Sequence, residues 1–92
     1  MARVVVSLRI MPQSPDIDLS ELEQKAKDEI IKFCNSQEFK VEIQPIAFGL
    51  KALIILFVME ESIGTTEKLE QDISQLDGVE SVEVTDVRRA VG

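Results

Sequence analysis

The chain contains no histidine and one cysteine, Cys34. Without histidine there is no Ser-His-Asp or Cys-His relay and no histidine-ligated zinc. A single cysteine forms no intrachain disulfide and no CxxC pair, which fits a reducing compartment. Cys34 follows Phe33 at the end of a helical pattern and reads as a packed thiol rather than a nucleophile. Two carboxylate pairs are left. Asp16 and Asp18 have the donor chemistry for a divalent cation, but Asp18 stands at a helix start, where a carboxylate caps backbone N–H groups. Glu60 and Glu61 are adjacent, and adjacent strand residues point to opposite faces, which does not suit an acid–base pair. "IGTT" at 63–66 lacks the glycine spacing and the lysine of a phosphate-binding loop. No nucleophile, base and oxyanion hole assemble, so no catalytic residues, metal or cofactor are expected.

What remains is a segment suited to binding. "QPIAFGLK" at 44–51 brackets Ile46, Ala47 and Phe48 between a proline and a glycine, with apolar strand-like runs on either side. The chain has four aromatic residues. One of them, Phe48, falls at a turn, where a side chain is normally exposed. An aromatic in a rigid frame suits an interface anchor; the other possibility is that it folds back against the sheet edge.

The elements that must carry this turn follow from periodicity. Residues 3–11 alternate, with Val4, Val6, Leu8 and Ile10 on one face and Arg3, Val5, Ser7, Arg9 and Met11 on the other. "PQSPDID" breaks this strand. Asp18 with Glu21 resembles a capping box. Leu19, Leu22, Ala26, Ile30 and Phe33 then mark one face of a helix ending near Asn35. Residues 39–43 alternate cleanly and predict a half-buried edge strand. Residues 52–59, "ALIILFVM", are apolar on both faces and predict a central strand. A second helix is expected to begin at Gly64 or Thr65, carry Leu69, Ile73 and Leu76, and end at Asp77-Gly78 with Gly78 as its cap. Residues 79–87 predict a last strand with Val82 and Val84 on one face. Val87 is out of phase with that pair, which means a bend or an end.

The order βαββαβ predicts one domain over residues 1–92. Its fold class is a ferredoxin-like α/β sandwich: a four-stranded antiparallel sheet with both helices on one face. The two runs that are apolar on both faces, 3–11 and 52–59, are the strands this topology places centrally. The uncovered face then carries Val5, Met11 and alternate residues of 52–59. Such a face marks a partner surface, a homodimer contact or a site for a covering loop.

Composition narrows the function classes. With 92 residues there is little room for a deep internal cavity. No apolar run is long enough to span a bilayer, and "MARVVVSLRI" is not a signal peptide core, so a soluble cytoplasmic protein is expected. The net charge is −7, and Glu60 to Glu83 hold eight acids against one base, Lys68. Such a surface repels phosphate backbones, so no direct nucleic-acid or membrane partner is expected. The RNA-binding use of this fold also needs exposed aromatics on the central strands, and Phe57 is the only one there. From the residues alone the chain is a small acidic interaction or regulatory domain.

Three stretches narrow this further. "PIAFGLKAL" at 45–53 resembles the P-[IV]-[AG]-[FY]-G-[LI]-K signature of the guanine-nucleotide exchange domain of translation elongation factor 1-beta. "VMEESIGT" at 58–65 and "VESVEVTDVRR" at 79–89 continue the resemblance, with a shift of about one residue in the 61–64 loop relative to the eukaryotic form. A start near "MPQSPDIDL" is similar to the free-standing archaeal form. The resemblance implies a partner, the GTPase elongation factor 1-alpha in its GDP-bound and nucleotide-free states, and a function, acceleration of GDP release without bond chemistry. It implies that Phe48 inserts into the partner, with Gly49 shaping the hairpin and Lys51 near the contact. Eukaryotic members place a lysine next to last, near the partner's Mg²⁺ site. Counting from "VESVEV" puts Arg89 there, with three residues following. Arginine departs from the family lysine because it forks its donors, and Arg88 is the other candidate cation. The alternative expectation is a ligand-sensing module of the same fold that dimerises through its open sheet face.

Overall fold

The computed structural model describes residues 2–89. The elements run β1 (Arg3–Pro12), α1 (Leu19–Cys34), β2 (Phe39–Pro45), β3 (Lys51–Glu60), a 3-10 turn (Glu61–Ile63), α2 (Glu67–Ser74) and β4 (Val79–Arg89). The strands form one antiparallel sheet in the order β2-β3-β1-β4. This is the ferredoxin-like βαββαβ arrangement. The two strands with apolar residues on both faces are its central pair: the helices cover one face, and on the other the flanking strands' long polar side chains shield them in part.

Alternation decides the core. Val4, Val6, Leu8 and Ile10 of β1 and Leu53, Ile55, Phe57 and Met59 of β3 point to the helix side and are buried. Leu22, Ala26 and Ile30 of α1 and Leu69 and Ile73 of α2 close over them, so both helices lie on one face. In α1, Asp18 caps as its position demands: its Oδ1 accepts the N–H groups of Ser20 at 2.9 Å and Glu21 at 3.3 Å. Glu21 does not complete the reciprocal half of a capping box; its carboxylate lies 3.4 Å from Lys25 Nζ. Asn35 ends the helix in the left-handed conformation, φ 54°, with its N–H donating to the Ile31 carbonyl at 2.8 Å. Cys34 packs at this end, its Sγ donating to the Ile30 carbonyl at 3.4 Å. Burial pushes its thiol up, partly offset by a backbone hydrogen bond from Ser36, which is the opposite of an activated nucleophile.

Three expectations need correction. α2 begins at Glu67, later than Gly64 or Thr65. Thr66 is the N-cap, and Thr65 precedes it, its hydroxyl accepting the Glu67 N–H at 3.2 Å. α2 also ends early, at Ser74. Gly78 is not its cap; it sits at φ 91° in the turn closed by Val79 N–H to the Leu76 carbonyl, 3.2 Å. The positive φ requires glycine, and a Cβ there would also press on the Ile17 side chain at 3.2 Å. Finally, β4 runs past the predicted limit at Val87 to Arg89; of the bend and the end expected there, the bend is what occurs.

The β4 register explains the out-of-phase valine. Leu8 faces Val84 while its neighbour Ser7 faces Asp86, leaving Thr85 as the extra residue of a bulge. The Thr85 hydroxyl donates to the Ser7 carbonyl at 3.3 Å and lies 3.1 Å from the Ser7 hydroxyl. The bulge resets the two-residue period, so Val87 pairs with Val6 and Arg89 with Val4 on the helix side. The strand bends and continues.

The uncovered sheet face is less open than its sequence suggests. Val5, Ile54, Leu56 and Val58 are half-buried rather than exposed. Polar side chains frame them: Lys40 pairs across from Leu56, Glu42 from Ile54, and Arg9 from Ile54 on the other side. Lys40 and Glu42 form an ion pair at 3.6 Å, and Arg9 and Glu83 at 3.7 Å. Long polar stems cover much of the stripe.

Candidate functional site

The residues singled out in the sequence fall at two ends of the sheet. Phe48, Gly49 and Lys51 belong to the β2–β3 hairpin tip. Arg88 and Arg89 close β4, at the end of the sheet where β3 also finishes, with β1 between the two strands. Lys51 and Glu60 bound β3, and nine steps of about 3.3 Å separate the two ends by roughly 30 Å. The long axis of the molecule is 42 Å. The structure therefore does not gather the five residues into one site.

At the hairpin, β2 and β3 are joined by a tight turn. Leu50 N–H donates to the Ala47 carbonyl at 2.9 Å, and Ile46 N–H to the Leu50 carbonyl at 2.9 Å. The two central residues both have positive φ, 55° at Phe48 and 82° at Gly49, as in a type I′ turn. Gly49 suits this; phenylalanine does not. A bulky L-residue in the left-handed region pays about 1 kcal/mol in Cβ–carbonyl crowding. Phe48 nevertheless adopts it, and its side chain is 97% exposed. The fold-back reading is overturned: the ring touches no sheet edge. A Cβ on Gly49 would stand 3.8 Å from Pro15, an ordinary contact, so the glycine is needed for its backbone conformation and not for space. Pro15, with Ser14 and Ile17, backs the hairpin across a shallow groove that reaches Lys51. Lys51 is exposed and forms no ion pair among the described residues. Ile43 and Ile46 add exposed apolar surface on the same hairpin, at 47% and 40%.

At the opposite end, strand alternation sends Arg88 and Arg89 to opposite faces. Both lie within β4, paired with Val5 and Val4, rather than in a frayed tail. Arg88 pairs with Asp86 two residues back. Arg89 reaches across the sheet end to Glu61, its Nε and Nη2 each donating to a separate carboxylate oxygen at 3.1 Å. This is a bidentate fork. The hydrogen bond from Arg89, and then its charge, hold the Glu61 carboxyl below the ordinary carboxylate range and raise Arg89 in turn. Both groups face solvent. Glu61 was absent from the sequence-predicted set. No local signal marks it, because the pair spans 28 positions and forms only when the ends of β3 and β4 come together.

The other candidates stay apart. Asp16 and Asp18 gather no third donor, and no group of three or more acidic, cysteine or histidine ligands occurs among the described residues. Thr66 of "IGTT" turns its hydroxyl to Glu70 at 3.2 Å, and the first turn of α2 carries Glu67 and Glu70, which would repel a phosphate. Among the described residues no helix is long and apolar enough to cross a membrane.

Comparison with known proteins bears directly on these two ends. The chain is 45% identical over 89 residues to elongation factor 1-beta of Methanobrevibacter smithii, covering 97% of this chain and 98% of that protein. It is 40% identical over 89 residues to elongation factor 1-beta of Methanothermobacter thermautotrophicus, with the same coverage. To elongation factor 1-beta of Archaeoglobus fulgidus it is 38% identical over 87 residues, covering 95% and 97%. Among solved structures, the de novo designed protein Foldit4 superposes with a TM-score of 0.62 at 24% identity, covering 98% of each chain. BlrP1 BLUF superposes with 0.56 at 14%, covering 100% of this chain and 57% of that one. These two share the fold alone. The family that matches residues 5–90, and so spans both the exposed hairpin and the basic strand end, is the EF-1 guanine nucleotide exchange domain, and the chain belongs to it.

Proposed function

We propose that this chain is a translation elongation factor that accelerates GDP release from the GTPase elongation factor 1-alpha. It makes and breaks no covalent bond. It acts by binding the nucleotide-free GTPase more tightly than the GDP-bound form, which by linkage weakens GDP binding by the same factor. The observation that carries this reading is Phe48. The chain holds an aromatic fully in water on a left-handed backbone, two costs that free folding does not reward and partner binding does. The family match across the hairpin supports it. Gly49 and Lys51 act with Phe48, the first by setting the turn and the second as an exposed cation at the rim.

Arg89 presents guanidinium donors at the second end, toward the partner's phosphate and Mg²⁺ region, with Arg88 next to it in sequence on the opposite face. Two contacts about 30 Å apart fit a GTPase gripped at separate places, so that tightening at one is felt as opening at the other. The ligand-sensing alternative has no observation in its favour. The test is affinity for the partner in its two states. Titration of nucleotide-free and GDP-loaded elongation factor 1-alpha should give tighter binding to the nucleotide-free form. Equal affinity for both would leave no free energy to drive exchange and would refute the reading.

A further inference from the structure

Arg89 is not a free cation. Its Nε and Nη2 are both given to Glu61. Glu61 sits on tied backbone: its N–H donates to the Ala2 carbonyl at 3.0 Å, and its own carbonyl accepts the Gly64 N–H at 3.1 Å. The Arg89 backbone is likewise held, by pairing with Val4 at the start of β1, but its side chain is the longer of the two and has more rotamers to lose, so the fork restricts the guanidinium most. A guanidinium has five N–H donors, and the fork uses two of them, leaving three on Nη1 and the outer side of Nη2. Those three point away from Glu61. A lysine could not do this, because an ammonium held by a carboxylate has no rigid second edge to present.

From this geometry we infer that Glu61 is a positioning residue for Arg89: it clamps one edge of the guanidinium so that the other edge faces the partner GTPase. The inference rests on the exchange reading above and adds to it a residue outside the recognised set. It also gives this chain's arginine, in place of the family lysine, a physical reason. Glu61 touches neither nucleotide nor Mg²⁺ in this account; it acts only through Arg89.

The test is a double-mutant cycle on the GDP-release rate from elongation factor 1-alpha at saturating exchange factor, with Glu61→Gln, Arg89→Ala and the double variant. Glu61→Gln keeps the shape and removes the charge. It should lower the maximal rate about two- to fivefold, the range open to an exposed ion pair, while the thermal midpoint falls by no more than the small contribution of that pair. Glu61→Asp should recover part of the rate. In the Arg89→Ala background Glu61→Gln should have no further effect. A wild-type rate for Glu61→Gln beside a slowed Arg89→Ala protein overturns the positioning role and leaves the exchange reading intact. A faster Glu61→Gln protein overturns it by reversing the sign, since Glu61 would then mask Arg89. An equal fold loss in both backgrounds overturns it because Glu61 would then act without Arg89. If the wild-type protein itself fails to speed GDP release, the exchange reading falls, and that is seen before any variant is compared.

Discussion

Replacing Phe48 with alanine should separate binding from folding more cleanly than any other change in the chain. The side chain is 97% exposed, so truncation removes no internal packing. Alanine keeps the Cβ at φ 55°, so the backbone cost is unchanged. Unfolding free energy should therefore move by less than about 0.5 kcal/mol, a midpoint shift of at most about 2–4 °C for a domain of this size. On the partner the balance is different. Burying a phenylalanine side chain contributes about 1.5–3 kcal/mol, and an aromatic anchor in a desolvated pocket lies at the upper end of that range. A loss of about 2–3 kcal/mol is roughly a 30- to 150-fold weaker complex. Phe48→Leu should fall between, because it keeps apolar area and loses the flat ring. The assay is titration of nucleotide-free elongation factor 1-alpha with each protein, beside thermal melts of the free proteins. A Phe48→Ala protein that melts normally and binds within about threefold of wild type, under 1 kcal/mol, would refute the anchor.

Further expectations follow from the same structure. Gly49→Ala should destabilise the free protein by about 1 kcal/mol; its φ of 82° is the whole cause, since Pro15 leaves room for the Cβ, and denaturant unfolding reads it. Asp18→Ala should cost about 1 kcal/mol through the two lost N-cap bonds, while Asp18→Asn should cost much less. The Glu61 carboxyl should titrate below the ordinary carboxylate range and return toward it in Arg89→Ala, as followed by carboxyl-carbon NMR. Because its native value is the lowered one, the pair's contribution is present above the ordinary carboxylate value and lost as pH falls through the lowered value. Identical titration in the two proteins would show that the fork does not persist in solution.

Sequence pattern made the fold legible where burial is two-sided or strictly periodic. β1 and β3 carry apolar residues on both faces, and that alone places them at the centre of the sheet. α1 was readable to its cap because Asp18 and the 3–4 spacing of Leu19, Leu22, Ala26, Ile30 and Phe33 agree. Pattern failed where one residue breaks the count. Thr85 is such a residue: once it bulges, the two-residue period restarts, and Val87 and Arg89 join the face of Val84. Nothing about threonine at 85 announces this; its bond to Ser7 comes from the far end of the chain. α2 starts late because Glu61–Ile63 of "EESIGTT" form a 3-10 turn.

The candidate site was half legible. "PIAFGLK" gave Phe48 and its glycine, because turn chemistry is local. That Phe48 itself takes positive φ was not readable, since Gly49 alone accounts for a tight turn. The Arg89 fork was not readable either. Its partner is distant in sequence, and Glu61 looks like one acid among many in a segment of eight acids between Glu60 and Glu83. Only the antiparallel approach of β3, β1 and β4 brings the two charges to one corner.

Timing the release of a fluorescent GDP analogue preloaded on archaeal elongation factor 1-alpha tests the central claim most directly. With increasing amounts of this protein and excess unlabelled GDP, release should accelerate and rise to a plateau. Phe48→Ala should need more protein to approach that plateau, and Arg89→Ala should lower it. Release that stays at its spontaneous rate at every concentration of the wild-type protein would contradict the account.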